Sequence, residues 1–220
     1  MDLELDRDGA QHFRQLLDEA QLSSLCTLLP PTGRAGVRLF QDPALSAWCS
    51  GEPIRSLVRP FLGKDARPVR AILFDKSSES NWTLGWHQDR TVAVREKATV
   101  AGFENWNTKC GVIHVEPPFA IIERMVTARI HLDSVPATNA PLLVAPGSHL
   151  LGRLDEKKVG QAIGRCGQYA CLAEAGDVWL YRTAILHASE RSANPATRRV
   201  LQVDFAGENL PAPLQWAGLA

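Results

Sequence analysis

The segment Trp86-His87-Gln88-Asp89 sets an imidazole and a carboxylate two residues apart. On a β-strand, residues at that spacing point to the same face. His87 and Asp89 can therefore offer a nitrogen and an oxygen to one ion. A third ligand has to come from elsewhere in the chain. Of the six histidines, His187 is the best candidate, placed after the strand-like Val178-Trp-Leu-Tyr and before a polar loop. Two histidines and one carboxylate on one face of an octahedral ion leave three positions open, a donor set characteristic of non-haem Fe(II) oxygenases. A His-x-Asp pair on its own arises by chance in many chains. His114, His131 and His149 have no such partner and read as ordinary satisfied or surface histidines.

The stretch that follows His187 adds a second kind of chemistry. Arg198 lies eleven residues beyond His187, at the mouth of a new strand, and a hairpin would return it to the neighbourhood of His187. A guanidinium there can pair in two-point fashion with the far end of a dicarboxylate, a geometry lysine cannot match. Ser189 can add a hydroxyl donor to the same carboxylate. Arg199 points to the opposite face and suits a solvated strand end.

These residues need a scaffold, and the composition allows one. The chain has 220 residues, 45% of them hydrophobic and 22% charged, with no net charge. Those values fit a soluble globular protein with one domain over 1–220. The charge balance argues against a nucleic-acid partner. No apolar stretch approaches the roughly 18 residues of a membrane span. The acidic start, Met1-Asp-Leu-Glu-Leu-Asp-Arg-Asp, does not read as an export signal, so a cytoplasmic location is expected. In that setting the five cysteines are expected as reduced thiols, Cys166 and Cys171 included.

Residues 1–62 read as mainly helical support. Apolar spacing predicts helices over Gly9–Leu29, Pro43–Cys49 and Pro53–Leu62, the first stopped by Pro30-Pro31-Thr32-Gly33. Residues 68–206 read as a β core. Strands are predicted at Val69–Asp75, Thr83–His87, Thr91–Arg95, Thr127–Leu132, Leu142–Val144, Asp177–Tyr181 and Arg198–Phe205. Turns at Ser77-Ser-Glu-Ser-Asn, Pro136-Ala-Thr-Asn, Pro146-Gly-Ser and Asn194-Pro separate them, and helical inserts interrupt near Pro118–Val126 and Asp155–Gly164. Many short strands in one domain point to a sandwich or barrel. Val100–Pro118 reads as a long irregular insertion of functional or mobile character.

Trp86-His-Gln-Asp89, Pro146-Gly-Ser-His149 and His187-x-Ser189 with Arg198 together resemble the phytanoyl-CoA dioxygenase family, over about Val69 to Phe205. The resemblance implies a double-stranded β-helix, a cupin-like jelly-roll, with flanking helices. It implies Fe(II) held by His87, Asp89 and His187. It implies 2-oxoglutarate held through its 5-carboxylate by Arg198 and Ser189, with Gln88 helping to line that site. O2 would be consumed, a C–H bond of a small-molecule substrate hydroxylated, and succinate and CO2 released. The carboxylate ligand Asp89 favours hydroxylation, desaturation or ring chemistry over halogenation. The chain departs from the family where members often carry a tryptophan and Arg129 stands here, and where the usual Asn-Gly is Asn139-Ala140. It is also shorter than many members, which makes a bulky CoA thioester a poor expectation. Trp86, Trp106, His114 and Arg129 are the candidate substrate-lining residues; Arg90, Arg95 and Lys97 suit either an anionic substrate or a solvated face. Two other readings stay open: a 2-oxoglutarate-independent iron oxygenase, and a catalytically silent jelly-roll binding module. A zinc hydrolase lacks an independent general base.

Overall fold

The computed structural model describes residues 2–31, 36–76, 81–192 and 198–219. The stop at Thr32-Gly33 and the turns expected over 77–80 and at Asn194-Pro lie outside the described residues. In chain order the elements are α1 (Leu5–Asp8), β1 (Ala10–Phe13), α2 (Glu19–Leu28), β2 (Val37–Leu39), α3 (Pro43–Cys49), α4 (Ile54–Leu62), β3 (Arg67–Lys76), β4 (Leu84–His87), β5 (Val92–Val94), β6 (Glu104–Lys109), β7 (Val112–Glu116), α5 (Phe119–Glu123), β8 (Val126–His131), β9 (Leu142–Val144), a 3-10 turn (Ser148–Leu151), α6 (Glu156–Cys166), β10 (Tyr169–Cys171), β11 (Val178–Arg182), β12 (His187–Ser189) and β13 (Arg198–Ala206).

Three antiparallel sheets result. The largest has the order β1-β11-β8-β13-β3-β2, the second β10-β9-β12-β4, and the third β5-β7-β6. Strand alternation gives the large sheet two unlike faces. One face carries Ala71, Leu73, Ala128, Ile130, Leu201 and Val203, which pack with Leu25 of α2, Leu45 of α3 and Ile54 and Leu57 of α4. This face is the main apolar core, and it explains why the helices lie on that side. The other face is polar. Across it run the rows Arg70-Asp204-Thr127-Tyr181, Ile72-Gln202-Arg129-Trp179 and Lys76-Arg198. A polar inner face is costly unless its groups are paired or serve a ligand.

Three expectations need correction. Ala10–Phe13 is a strand, paired with β11, and not part of a helix. Gly9, at φ 80°, ends α1, and the next helix begins only where Asp18 and Gln21 form a capping box. The edge strand β2 falls inside the region read as helical. Val100–Pro118 is not irregular: it holds the β6–β7 hairpin. The two-residue turn at Cys110 (φ 51°) and Gly111 (φ 80°) has the left-handed pair that a twisted hairpin needs. All five cysteines are free thiols.

Candidate active site

β4 and β12 are neighbours, and their register sets His87 directly opposite His187. The two rings stand 4.3 Å apart between centroids. Asp89 follows two residues after His87, and the three ligand atoms all lie within 4.8 Å of one another. Each imidazole is oriented by its own strand. His87 Nδ1 contacts the Gly85 carbonyl at 2.7 Å, and His187 Nδ1 contacts the Ile185 carbonyl at 3.0 Å. An Nδ1–H donated to a carbonyl leaves the Nε2 lone pair for a metal. Burial, and then the neighbouring His87, lower the His187 pKa to about 4, so this imidazole is neutral and ready to ligate.

The carboxylate is positioned from the facing sheet. Arg70 of β3 donates from Nη2 to Asp89 at 3.2 Å and from Nε to Asp204. Asp204 also accepts from Thr127 Oγ1 at 3.0 Å. Burial opposes ionisation of Asp89, but nearby positive charge, Arg70 foremost, outweighs it and holds the carboxylate below its ordinary range. Burial dominates for Asp204 and raises it. The ion that best fits two imidazoles and one carboxylate, with no thiolate, is a first-row divalent metal of the Fe(II) type.

Beside the triad is a second constellation. Arg198, Arg129 and Lys76 are all buried on the inner face of the large sheet. Among the described residues no carboxylate forms an ion pair with any of them. Arg198 donates to the carbonyls of Asn139 and Ala140, and Arg129 donates to Gln202 Oε1 at 3.0 Å. The Nε atoms of both arginines are buried without a partner among the described residues. Burial, with Arg129 next, lowers Arg198 to about 9, and burial, with Arg198 and Arg129, lowers Lys76 to about 7. Lys76 Nζ donates to Ser189 Oγ at 3.0 Å, which leaves the serine proton for another acceptor. Buried cations with idle donors fit a bound anion. The triad, both arginines and Ser189 line one cavity of about 980 Å³ between the two larger sheets.

The profile of the phytanoyl-CoA dioxygenase (PhyH) family matches residues 5–200. The chain belongs to that family. Solved structures agree on the fold. EctD from S. alaskensis, with 2-oxoglutarate and 5-hydroxyectoine, superposes with a TM-score of 0.67 at 17% identity, over 92% of this chain and 73% of that one. HygX from Streptomyces hygroscopicus, with nickel, 2-oxoglutarate and hygromycin B bound, gives 0.61 at 14% identity over 92% and 84%. The non-haem α-ketoglutarate-dependent carbocyclase SnoK from nogalamycin biosynthesis gives 0.60 at 17% identity over 91% and 80%. No curated protein matches the chain in sequence. The two-sheet core is thus the cupin-like jelly-roll expected of this family.

Within this phytanoyl-CoA dioxygenase family member, the residues singled out from sequence fall into place unequally. His87, Asp89, His187, Ser189 and Arg198 come together. Arg198 does not return by a hairpin, however: β12 pairs with β4 and β9, whereas β13 pairs with β3 and β8 in the facing sheet. Arg199 turns to the other face, where it pairs with Asp133. Gln88 borders the cavity, but its amide is engaged with the carbonyls of Gly152 and Ala184 and with the Leu154 N–H, so it anchors a loop. Arg129 and Trp86 line the cavity, Trp86 packing near Val159 and Ile163 of α6. Trp106 and His114 do not line it. Trp106 packs on the separate apolar cluster around Val92, Phe103 and Val115, and His114 is buried in β7. His114, His131 and His149 are not surface or satisfied histidines: all three are buried, each with a ring nitrogen lacking a partner. No helix among the described residues is long and apolar enough to cross a membrane.

Arg70, Lys76, Arg38 and Lys109 were not picked out from sequence. Arg70 and Lys76 had a readable sign: both fall at even spacing with the apolar Ile72 and Phe74, on the same face of the strand. Arg38 and Lys109 had none, because their strands were not recognised.

Proposed function

We propose that this chain is an Fe(II)- and 2-oxoglutarate-dependent oxygenase that hydroxylates a C–H bond of a small molecule. The observation that carries the reading is the juxtaposition of a two-histidine, one-carboxylate triad with buried cations that no described acid neutralises. The ligand sets bound by EctD and HygX support it.

His87, Asp89 and His187 would hold the metal, with Arg70 fixing the Asp89 carboxylate so that its other oxygen is free to ligate. Arg198 would take the distal carboxylate of 2-oxoglutarate through its idle Nε edge, and Ser189 would donate its hydroxyl proton to the same group. Arg129 adds charge where family members often have tryptophan. Phe74, Trp82 and Leu142 form apolar wall and exclude water. When bound, iron would supply, with 2-oxoglutarate and O2, the oxidising power for the C–H bond, one oxygen atom going to the substrate and the other to the succinate that leaves with CO2. A cavity of about 980 Å³ leaves room for a small substrate beside the co-substrate.

The test is anaerobic addition of Fe(II) and 2-oxoglutarate. The expected result is the visible charge-transfer absorption of an iron-chelated keto acid, with succinate formed once O2 is admitted. His87→Ala should lose both, together with Fe(II) binding by calorimetry. Unchanged Fe(II) affinity in that variant would sink the metal assignment. O2 uptake without loss of 2-oxoglutarate would instead support the co-substrate-independent reading.

A further inference from the structure

Six cationic side chains line the cavity against two carboxylates, Asp89 and Glu156. Four of the six have a partner or a task in the reading above. Arg70 is held by Asp89 and Asp204. Arg90 bonds the Leu154 carbonyl and lies 3.9 Å from Glu156. Arg129 and Arg198 face the co-substrate end. Arg38 and Lys109 remain.

Their placement is specific. Arg38 lies on β2 opposite Ile72, which shares the inner face of β3 with Arg70 and Phe74. Lys109 ends β6, at the turn of the hairpin that reaches the cavity rim. The hairpin brings Cys110 to Arg38, whose Nη1 lies 3.9 Å from the thiol. That weak acceptor is the only hydrogen-bond partner of Arg38 among the described residues. Arg38 Nε is buried with no partner among the described residues. Lys109 has no hydrogen bond or ion pair among the described residues. The charges around it are Arg38 and Arg70, which oppose its own after the larger effect of burial, and Asp89, which favours it. Two like charges are thus held together at one end of the cavity, and among the described residues no acid forms an ion pair with either. This end differs from the co-substrate end. Ile72 and Lys76 are four residues apart on β3, about 13 Å at strand rise, and Arg38 and Arg198 lie on opposite flanks of that strand.

We propose that Arg38 and Lys109 form an anion subsite for the primary substrate, which is an organic anion (a carboxylate, phosphate or sulfonate) with an apolar body lying along Leu84, Trp86, Val159 and Ile163. This deepens the oxygenase reading and rests on it for the assignment of the other cations. The guanidinium supplies a planar two-point donor and the ammonium a mobile point charge. Together they orient the substrate with its anionic end at the β2–β6 rim and its body across the metal.

The experiment compares two fluorescent probes with the same arylamine body, 8-anilino-1-naphthalenesulfonate and neutral N-phenyl-1-naphthylamine. Each is titrated into the full chain loaded with Ni(II) and 2-oxoglutarate. The expected result is that Arg38→Gln/Lys109→Gln weakens the sulfonate at least tenfold and leaves the neutral probe unchanged. Phenyl phosphate and phenylacetate, added as competitors, tell a phosphoryl subsite from a carboxylate one by which displaces the sulfonate at lower concentration. Equal sulfonate affinity in wild type and variant overturns the proposal. So does loss of the Fe(II)–2-oxoglutarate absorption in the variant, since the two residues would then serve the co-substrate. Absence of that absorption in the wild type, with the probe difference intact, would fault the oxygenase reading and keep the anion subsite.

Discussion

Arg70 is the residue on which the geometry of the site turns. It lies opposite Asp204 in the β3–β13 pair and reaches across the cavity to Asp89, so one guanidinium joins the large sheet to a metal ligand. Its charge is kept by its partners: burial opposes it, and Asp204 and Asp89 more than restore it. Removing it leaves the buried Asp204 and the half-buried Asp89 without their cation. Breaking a buried pair in this way costs about 3–5 kcal/mol, and losing a group that orients a metal ligand lowers metal affinity roughly 10- to 100-fold. Arg70→Met should therefore show both effects, in urea unfolding of the metal-free protein and in Fe(II) calorimetry. Arg70→Lys, which keeps the charge but can meet only one carboxylate well, should recover part of the stability and less of the affinity. Wild-type Fe(II) affinity in Arg70→Met would show that Asp89 needs no such support.

At the scale of elements, β4 was legible in its strand pattern, whereas Asp89 lies just past its end and β12, which carries His187, was read only as the stretch between a strand and a polar loop. β9 begins and ends where the sequence indicates, and β3, β8, β11 and β13 differ only at their ends. The helical support was less legible. Ala10-Gln-His-Phe carries no β-branched residue and becomes a strand only because β11 offers it an edge. The β6–β7 hairpin was hidden for a different reason. Its turn is Cys110-Gly111, not the Asn-Gly or Asp-Gly that marks such turns, and the strand before it is polar and bulged between Glu104 and Asn107. With the hairpin went Lys109, and with β2 went Arg38, so the substrate half of the site could not be read. The turn gives an element-scale prediction. Gly111 sits at φ 80°, and a methyl group added there would meet nothing within 4 Å, so the cost of Gly111→Ala is conformational, about 1–2 kcal/mol. The urea midpoint should fall accordingly. Cys110→Asn, with a residue that tolerates the left-handed region, should shift it upward. An unchanged midpoint in Gly111→Ala would mean that the hairpin contributes nothing to the cooperative fold.

The molecule as a whole has no net charge, yet six cationic side chains face two carboxylates in its cavity, and burial sets its response to pH. Burial lowers His114 to about 4 and His131 well below its ordinary value, so both are neutral in the fold. The unfolded chain binds these protons near pH 6.5 and the folded chain does not, so stability is full above about 6.5 and lost as pH falls toward 4. For His114 alone the loss is about 3 kcal/mol, and His114→Asn should flatten the urea-midpoint profile of the metal-free protein between those limits. Lys76 responds in the opposite range. Burial holds it at about 7, and Arg198 and Arg129 add to the depression. A dicarboxylate on those arginines cancels their repulsion and raises Lys76 toward its ordinary value. At pH 8 the free protein carries Lys76 mostly neutral and the complex carries more of it protonated, so 2-oxoglutarate binding should take up part of a proton. At pH 6 the lysine is charged in both states and the uptake should vanish. Calorimetry in buffers of different ionisation enthalpy measures this directly. Lys76→Met should abolish the pH 8 uptake, and Arg198→Ala should weaken 2-oxoglutarate far more than Fe(II). Buffer-independent enthalpies at pH 8 in the wild type would mean that the co-substrate's charge is not delivered to these three cations.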